Sequence, residues 1–216
     1  MVTIKNVYSS FSKDEFFTTE YFRLRLRDEG DIIELYYGDS EISNALVKKN
    51  NKEFLRVYVY RNRETIIKKY ISEYKACHDF ILFDFLKDNI QEDAHKIELE
   101  RRCLFDMYEK KISSVDQFYS MCKLFGFPDK YISFNENPRE ETIIVEAFLH
   151  RITVDVVKNK RINICTLEGS INDNSMRLWV IVYLFWKLMV YKQKLRTIGI
   201  IEDDYSDSDI VEFMSL

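Results

Sequence analysis

The sequence is poor in the residues that build linkers and the common catalytic motifs. Its 216 residues include only two prolines and five isolated glycines, so neither a long linker nor a glycine-rich phosphate loop is predicted. Three histidines occur, and the sequences CxxC, HExxH and GxSxG do not. We therefore predict no catalytic, cofactor-binding or metal-binding residues, and no cofactor.

Export and membrane signals are also lacking. The N-terminal stretch MVTIKNVYSSFSKDEFF has no apolar region typical of a signal peptide, and no apolar run reaches the roughly 18 residues of a membrane span. The cysteines are far apart among apolar neighbours, which favours buried free thiols over disulfides. They are Cys77, Cys103, Cys122 and Cys165. We therefore expect an intracellular protein, cytoplasmic or nuclear.

One long apolar segment is present, at residues 176–191, which read MRLWVIVYLFWKLMVY. Only two basic residues interrupt it, so a helix here has no wide polar face and is predicted to be surrounded by protein. Asn174 or Ser175 can cap its start, and Gly199 can end it. The rest of the chain is predicted to pack around this helix.

Alternation of apolar and polar residues predicts a small antiparallel sheet over residues 20–61. Its three strands are predicted at 21–27, 32–37 and 53–60. A turn at 28–31 would place Arg25 opposite Glu34. The intervening segment 41–49 is predicted to be a short helix.

From residue 64 the apolar period changes from two to 3.6, which predicts a mainly helical body over 64–198. Helices are predicted at about 64–87, 92–111, 114–125 and from 137 onward. Ser114 and Gln117 form a capping-box pattern, and Asn137 precedes a proline suited to the first helical position. The segment 152–167 fits a hairpin and a continued helix equally well.

The predicted fold class is therefore α+β, with a small N-terminal antiparallel sheet followed by a mainly helical body. We expect a single globular domain over 1–201 and an acidic tail over 202–216. The tail holds six acids and no base, so we expect it to be mobile and to order on a partner. Alternatively, its apolar residues pack back on the body as a final amphipathic turn. The predicted partner-binding residues are Ile210, Val211, Phe213, Met214 and Leu216.

Basic and aromatic residues share the outward positions of the predicted sheet, which is typical of a nucleic-acid stacking platform. The candidates are Arg23, Arg25, Arg27, Arg56, Tyr58 and Tyr60. Cross-strand ion pairing and aromatic packing explain the same pattern and are the favoured interpretation. A looser trio, Asp155, Lys158 and Glu168, suggests a metal-dependent nuclease, but 36 acids produce such trios by chance.

These observations favour a non-catalytic protein that binds a protein partner. Only four alanines occur against many Ile, Asn, Lys and Tyr residues, a bias typical of A/T-rich genomes, and it favours an accessory protein of a large DNA virus or a parasite. An RNA- or DNA-binding protein is the first alternative. An enzyme whose site is assembled only in space is the second, and it is the less favoured class.

Overall fold

The computed structural model describes residues 2–17, 24–39, 41–50, 53–100, 112–133, 137–201 and 204–215. Its contacts divide the chain into two compact units. Unit 1 comprises Met1–Asn89 and Lys192–Asp203, and unit 2 comprises Ile90–Tyr191 and Asp204–Leu216. The predicted single domain with a separate tail stays a prediction.

The mixed α+β class is confirmed. The first part of the chain forms α1 (Ile4–Lys13), β1 (Leu24–Asp28), β2 (Ile32–Gly38), β3 (Ile42–Lys49), β4 (Glu53–Tyr60), β5 (Arg63–Tyr70), α2 (Glu73–Asp79), a π-helical segment (Phe80–Leu86) and α3 (Lys87–Glu100). The second part forms α4 (Val115–Leu124), a 3-10 turn (Asp129–Tyr131), β6 (Thr142–Phe148), β7 (Arg151–Lys158), β8 (Lys160–Glu168), α5 (Ile171–Thr197) and α6 (Asp207–Met214). Each sheet is an antiparallel meander, with strand orders β1-β2-β3-β4-β5 and β6-β7-β8.

The first sheet is larger than predicted, because two predicted helices are strands. β3 replaces the short helix at 41–49: the Asp39 carboxylate accepts hydrogen bonds from the backbone of Glu41 and Ile42, which closes a tight turn instead of capping a helix. β5 replaces the start of the helix at 64–87. Arg61 and Asn62 both have positive φ (47° and 64°), the geometry of a two-residue hairpin turn that sends the chain back as a strand.

The β1–β2 hairpin forms in a different register from the predicted one. Arg27, not Arg25, lies opposite Glu34, and Arg25 lies opposite Tyr36. The loop closes one residue later than expected, with the backbone N–H of Glu29 bonded to the Ile32 carbonyl. A shift of two residues keeps the alternation of faces, so the predicted inward residues of β2 are still buried.

The core of unit 1 lies between one face of this sheet and helical residues. The apolar side of α1 is buried, and Phe11 packs on Phe17 and Phe85 with ring centroids 4.5 and 4.8 Å away. Phe85, from the π-helical segment, also meets Tyr37 of β2 at 5.2 Å. Aromatic contacts thus join α1, β2 and the π-helical segment.

The predicted core helix is confirmed as part of α5. The helix begins earlier than expected, since the Ser170 hydroxyl accepts from the Asp173 N–H while the Asp173 carboxylate accepts from the Ser170 N–H. Gly199 ends it with a φ of 72°, as predicted. Trp179 is fully buried beside Phe125, whereas Trp186 is half-buried.

The second sheet settles two further predictions. The helix expected from Asn137 is wrong: Glu141 has a φ of 54°, and its N–H bonds to Val157 across the sheet, so β6 follows. The hairpin alternative for 152–167 is confirmed by β7 and β8.

The helix predicted at 114–125 is confirmed as α4, with the Ser114 hydroxyl capping its start.

Candidate functional site

The C-terminal tail is ordered in residues 204–215, so the expected mobile segment is wrong there and the alternative of packing back is right. Ile210, Phe213 and Met214 are buried on α6. Lys158 Nζ lies 3.6 Å from the Asp204 carboxylate, which neutralises part of the acidic run. Val211 is half-buried, and Leu216 lies outside the described residues. Partner binding by these residues stays a prediction and requires α6 to leave its present packing.

The predicted nucleic-acid platform is wrong as a single surface. Cross-strand pairing runs from Arg25 through Tyr36 and Ala45 to Val57, so Arg56 and Tyr58 point to the opposite face from Arg25. Arg27 shares the face of Arg25, Tyr60 shares the face of Tyr58, and Arg23 lies outside the described residues. Apolar and polar residues alternate along each strand as predicted, but the register between strands determines which residues share a face of the sheet. Nucleic-acid binding itself stays a prediction.

Arg56 is committed to a row of ion pairs on that opposite face. The pairs join the sheet to α2, the π-helical segment and α3: Lys48–Glu73 at 3.0 Å, Lys68–Asp79 at 2.9 Å, Arg56–Asp84 at 2.9 Å, and an Asn44–Asp88 hydrogen bond of 3.3 Å. The sheet residues that these four acids contact all lie on the face that carries Arg56. Burial raises the pKa of Asp84 to about 7 against the opposing charge of Arg56.

The loose nuclease trio is not brought together. Asp155 accepts hydrogen bonds from Arg161 and from Asn163, the latter at 2.7 Å. Glu168 lies opposite Arg151, four residues before Asp155 on β7. The Asp155 carboxylate is therefore occupied by protein donors.

The most exposed apolar pair of adjacent residues in the described ranges is the tip of the β6–β7 hairpin, Phe148 and Leu149. Their exposed fractions are 77% and 83%. Leu149 has a φ of 54°, a conformation that is rare for a bulky residue and normally taken by Asn or Gly in such turns. A large apolar residue is thus held in a costly conformation at an exposed position, a combination found at functional sites.

The base of the hairpin is buried and hydrogen-bonded, and the tip projects from it. Ile144, Ile152 and Val154 are buried beneath it, and the Gly169 N–H bonds to the His150 carbonyl at 2.8 Å. A concavity of about 760 Å³ lies beside the tip. It is lined by Phe148, Leu149, His150, Arg151, Thr166, Glu168 and Gly169.

The outer edge of β6 is largely occupied. The Val145 N–H donates to the Tyr119 hydroxyl at 2.8 Å, and the Ile143 carbonyl accepts from the Ser133 N–H at 3.1 Å. Only the part near exposed Ala147 is left for another strand. The tip is therefore suited to side-chain insertion and not to strand addition.

Comparison with known proteins gives no indication of function, so the function is inferred from the hairpin tip. No protein-family model matches the chain, and it matches no curated protein and no solved structure. No helix in the described ranges is long and apolar enough to span a membrane. Sequence reasoning missed the hairpin tip, because 148–149 was assigned to a helix and Leu-His is not a recognisable turn sequence.

Proposed function

We propose that the protein is a non-catalytic interaction factor that binds a protein partner through the β6–β7 hairpin tip. The observation that carries this proposal is the exposure of Phe148 and Leu149 at the end of a hairpin whose base is buried. Burying each side chain in a partner would contribute about 1.5–3 kcal/mol, and a few well-packed anchor residues supply most of the affinity in many interfaces. The partner would offer an apolar pocket wide enough for both side chains.

The double variant Phe148→Ser/Leu149→Asn tests this proposal. Asn tolerates positive φ, so the variant removes the apolar tip while relieving the backbone at position 149. We expect its thermal stability to be at least that of the wild type, and its capture of native partners to fall at least tenfold. Affinity purification from native cells, quantified by mass spectrometry, measures the capture.

Ile71→Ser is the matched control, because Ile71 is fully exposed on unit 1 and lies outside the hairpin. It should leave the captured proteins unchanged. Equal capture by the wild type and the double variant would refute the proposal.

We also propose an intracellular location, cytoplasmic or nuclear. The free thiols of Cys77, Cys122 and Cys165 support it, since such thiols persist in reducing compartments. Composition alone supports an accessory role in a virus or a parasite.

A further inference from the structure

A buried apolar cluster and a concavity shared by both edge strands indicate that the first sheet curls toward the face that carries Arg25. On a flat sheet the backbones of β1 and β5 would lie about 19 Å apart, since four strand spacings separate them. Instead Arg25 of β1 and Glu64 of β5 line one concavity of about 470 Å³. The curl encloses a small apolar cluster, comprising Ala45, Val47, Leu55 and Val57. The concavity is therefore the open mouth of a half-closed sheet, a common position for ligand sites.

The mouth has one basic wall and one acidic wall. Arg25 stacks over Tyr36 at 5.7 Å and donates to the Asp39 carbonyl at 3.0 Å, and it forms no ion pair within the described part of the chain. Arg27 is already held by Glu29 and Glu34. The Arg25 guanidinium is thus the cation available to a ligand.

The opposite wall comes from the β4–β5 turn. Glu64 likewise forms no ion pair among the described residues, and the Asn62 amide lies beside it at the mouth. Burial, with the Glu34 and Glu64 carboxylates, raises the pKa of Tyr36 to about 12, so its hydroxyl stays protonated. Glu64 and Asn62 therefore offer acceptors to a ligand whose anionic group pairs with Arg25 in the same concavity.

We propose that this mouth binds a small ligand that carries both an anionic group and N–H donors. The anion would pair with Arg25, and the N–H donors would bond to Glu64 and Asn62. Two sources share this chemistry: a nucleoside monophosphate, through its phosphate and amino group, and a free amino acid, through its carboxylate and ammonium group. The site lies in unit 1, so it is independent of the hairpin tip.

Two-dimensional amide NMR of the full chain tests the proposal with adenosine 5′-monophosphate, adenosine and L-glutamine. We expect saturable shifts at Arg25, Tyr36 and Asn62 with the monophosphate or with glutamine, at up to about 10 mM ligand. Adenosine, which lacks the anion, should bind at least tenfold more weakly than its monophosphate. Binding of the monophosphate alone identifies a nucleotide site, and binding of glutamine alone identifies an amino-acid site.

Arg25→Ala and Glu64→Gln should each weaken the binding at least tenfold without changing the rest of the spectrum. Arg63→Ala is the matched control, since Arg63 is an exposed arginine on β5 that does not line the mouth. The absence of saturable shifts with both charged probes would overturn the proposal. So would shifts that survive both substitutions.

Discussion

Asp84 should make the unfolding free energy of the wild type fall as pH rises, and Asp84→Asn should remove that dependence. Asp84 is the one charged residue of the π-helical segment FILFDFL, whose seven side chains are all buried. Its carboxylate lies 2.9 Å from Arg56 Nε, and the negative charges of Asp88 and Asp79 act against its ionisation. Burial is the largest cause of its raised pKa.

The magnitude follows from linkage between protonation and folding. The pKa rises from 3.8 to about 7 in the folded state. Between these values the unfolded chain loses its proton while the folded chain keeps it, so stability falls as pH rises. At 1.36 kcal/mol per pKa unit, the accumulated loss above pH 7 is about 4 kcal/mol. Below the unfolded pKa of 3.8 the loss is absent, since both states are protonated.

Urea denaturation from about pH 4.5 to pH 8, followed by circular dichroism, measures the effect. The difference in unfolding free energy between Asp84→Asn and the wild type should rise with pH by a few kcal/mol in favour of the variant. Asp31→Asn, which neutralises an exposed carboxylate, is the control variant. A difference for Asp84→Asn that does not change with pH would mean that Arg56 keeps Asp84 ionised throughout, and the reasoning would be refuted.

Three further changes probe the fold. Trp179→Ala should cost about 3–5 kcal/mol of unfolding free energy in urea titrations, and more than Trp186→Ala, because only Trp179 is fully buried. Deletion of residues 204–216 should lower the melting temperature by more than about 4 °C in calorimetry, because it removes three buried apolar side chains of α6. Gly38→Ala should destabilise β2 by about 1–3 kcal/mol in urea titrations, since φ is 125° and a Cβ would lie 2.5 Å from the Ile42 carbonyl oxygen.

Elements with a strong local signal were predictable from the sequence. The apolar run that became α5 could only be a buried helix, and the capping serine of α4 fixed its first turn. The alternation in β1, β2 and β4 likewise fixed their secondary structure. In each case one pattern was compatible with one kind of element.

The missed strands depended on neighbours distant in sequence or on unusual turns. β5 is mostly exposed, and its isoleucines fit a helical period as well as a strand; only the turn at Arg61 and Asn62 decides between them. β6 follows a sequence that resembles a helix start, and its pairing with β7 overrides that signal. The turn at Arg61 and Asn62 and the turn before β6 contain no glycine, so the sequence did not identify them as turns.

The candidate sites were harder to predict than the secondary structure, because a site requires register as well as element type. Arg25 and Arg56 both sit at outward positions when each strand is considered alone, yet the pairing of four strands puts them on opposite faces. The same register puts Glu64 on the sheet face of Arg25, and both line the mouth, although their strands are at opposite edges of the sheet. Alternation therefore assigns the residues of one strand to two faces, and the register between strands determines which residues of different strands share a face.

The tail is ordered although its acidic composition predicted a mobile segment, because that prediction left out the burial of its apolar side chains. The Lys160–Asp207 pair, at 3.1 Å, is exposed on both sides and contributes at most about 1 kcal/mol. Phe213 is fully buried, and a buried phenylalanine contributes about 1.5–3 kcal/mol. Ile210 and Met214 add to this from the same helix. The burial of these apolar side chains therefore outweighs the repulsion within the acidic run, which the ion pairs neutralise only in part. The segment is ordered for that reason, although its net charge alone predicts disorder.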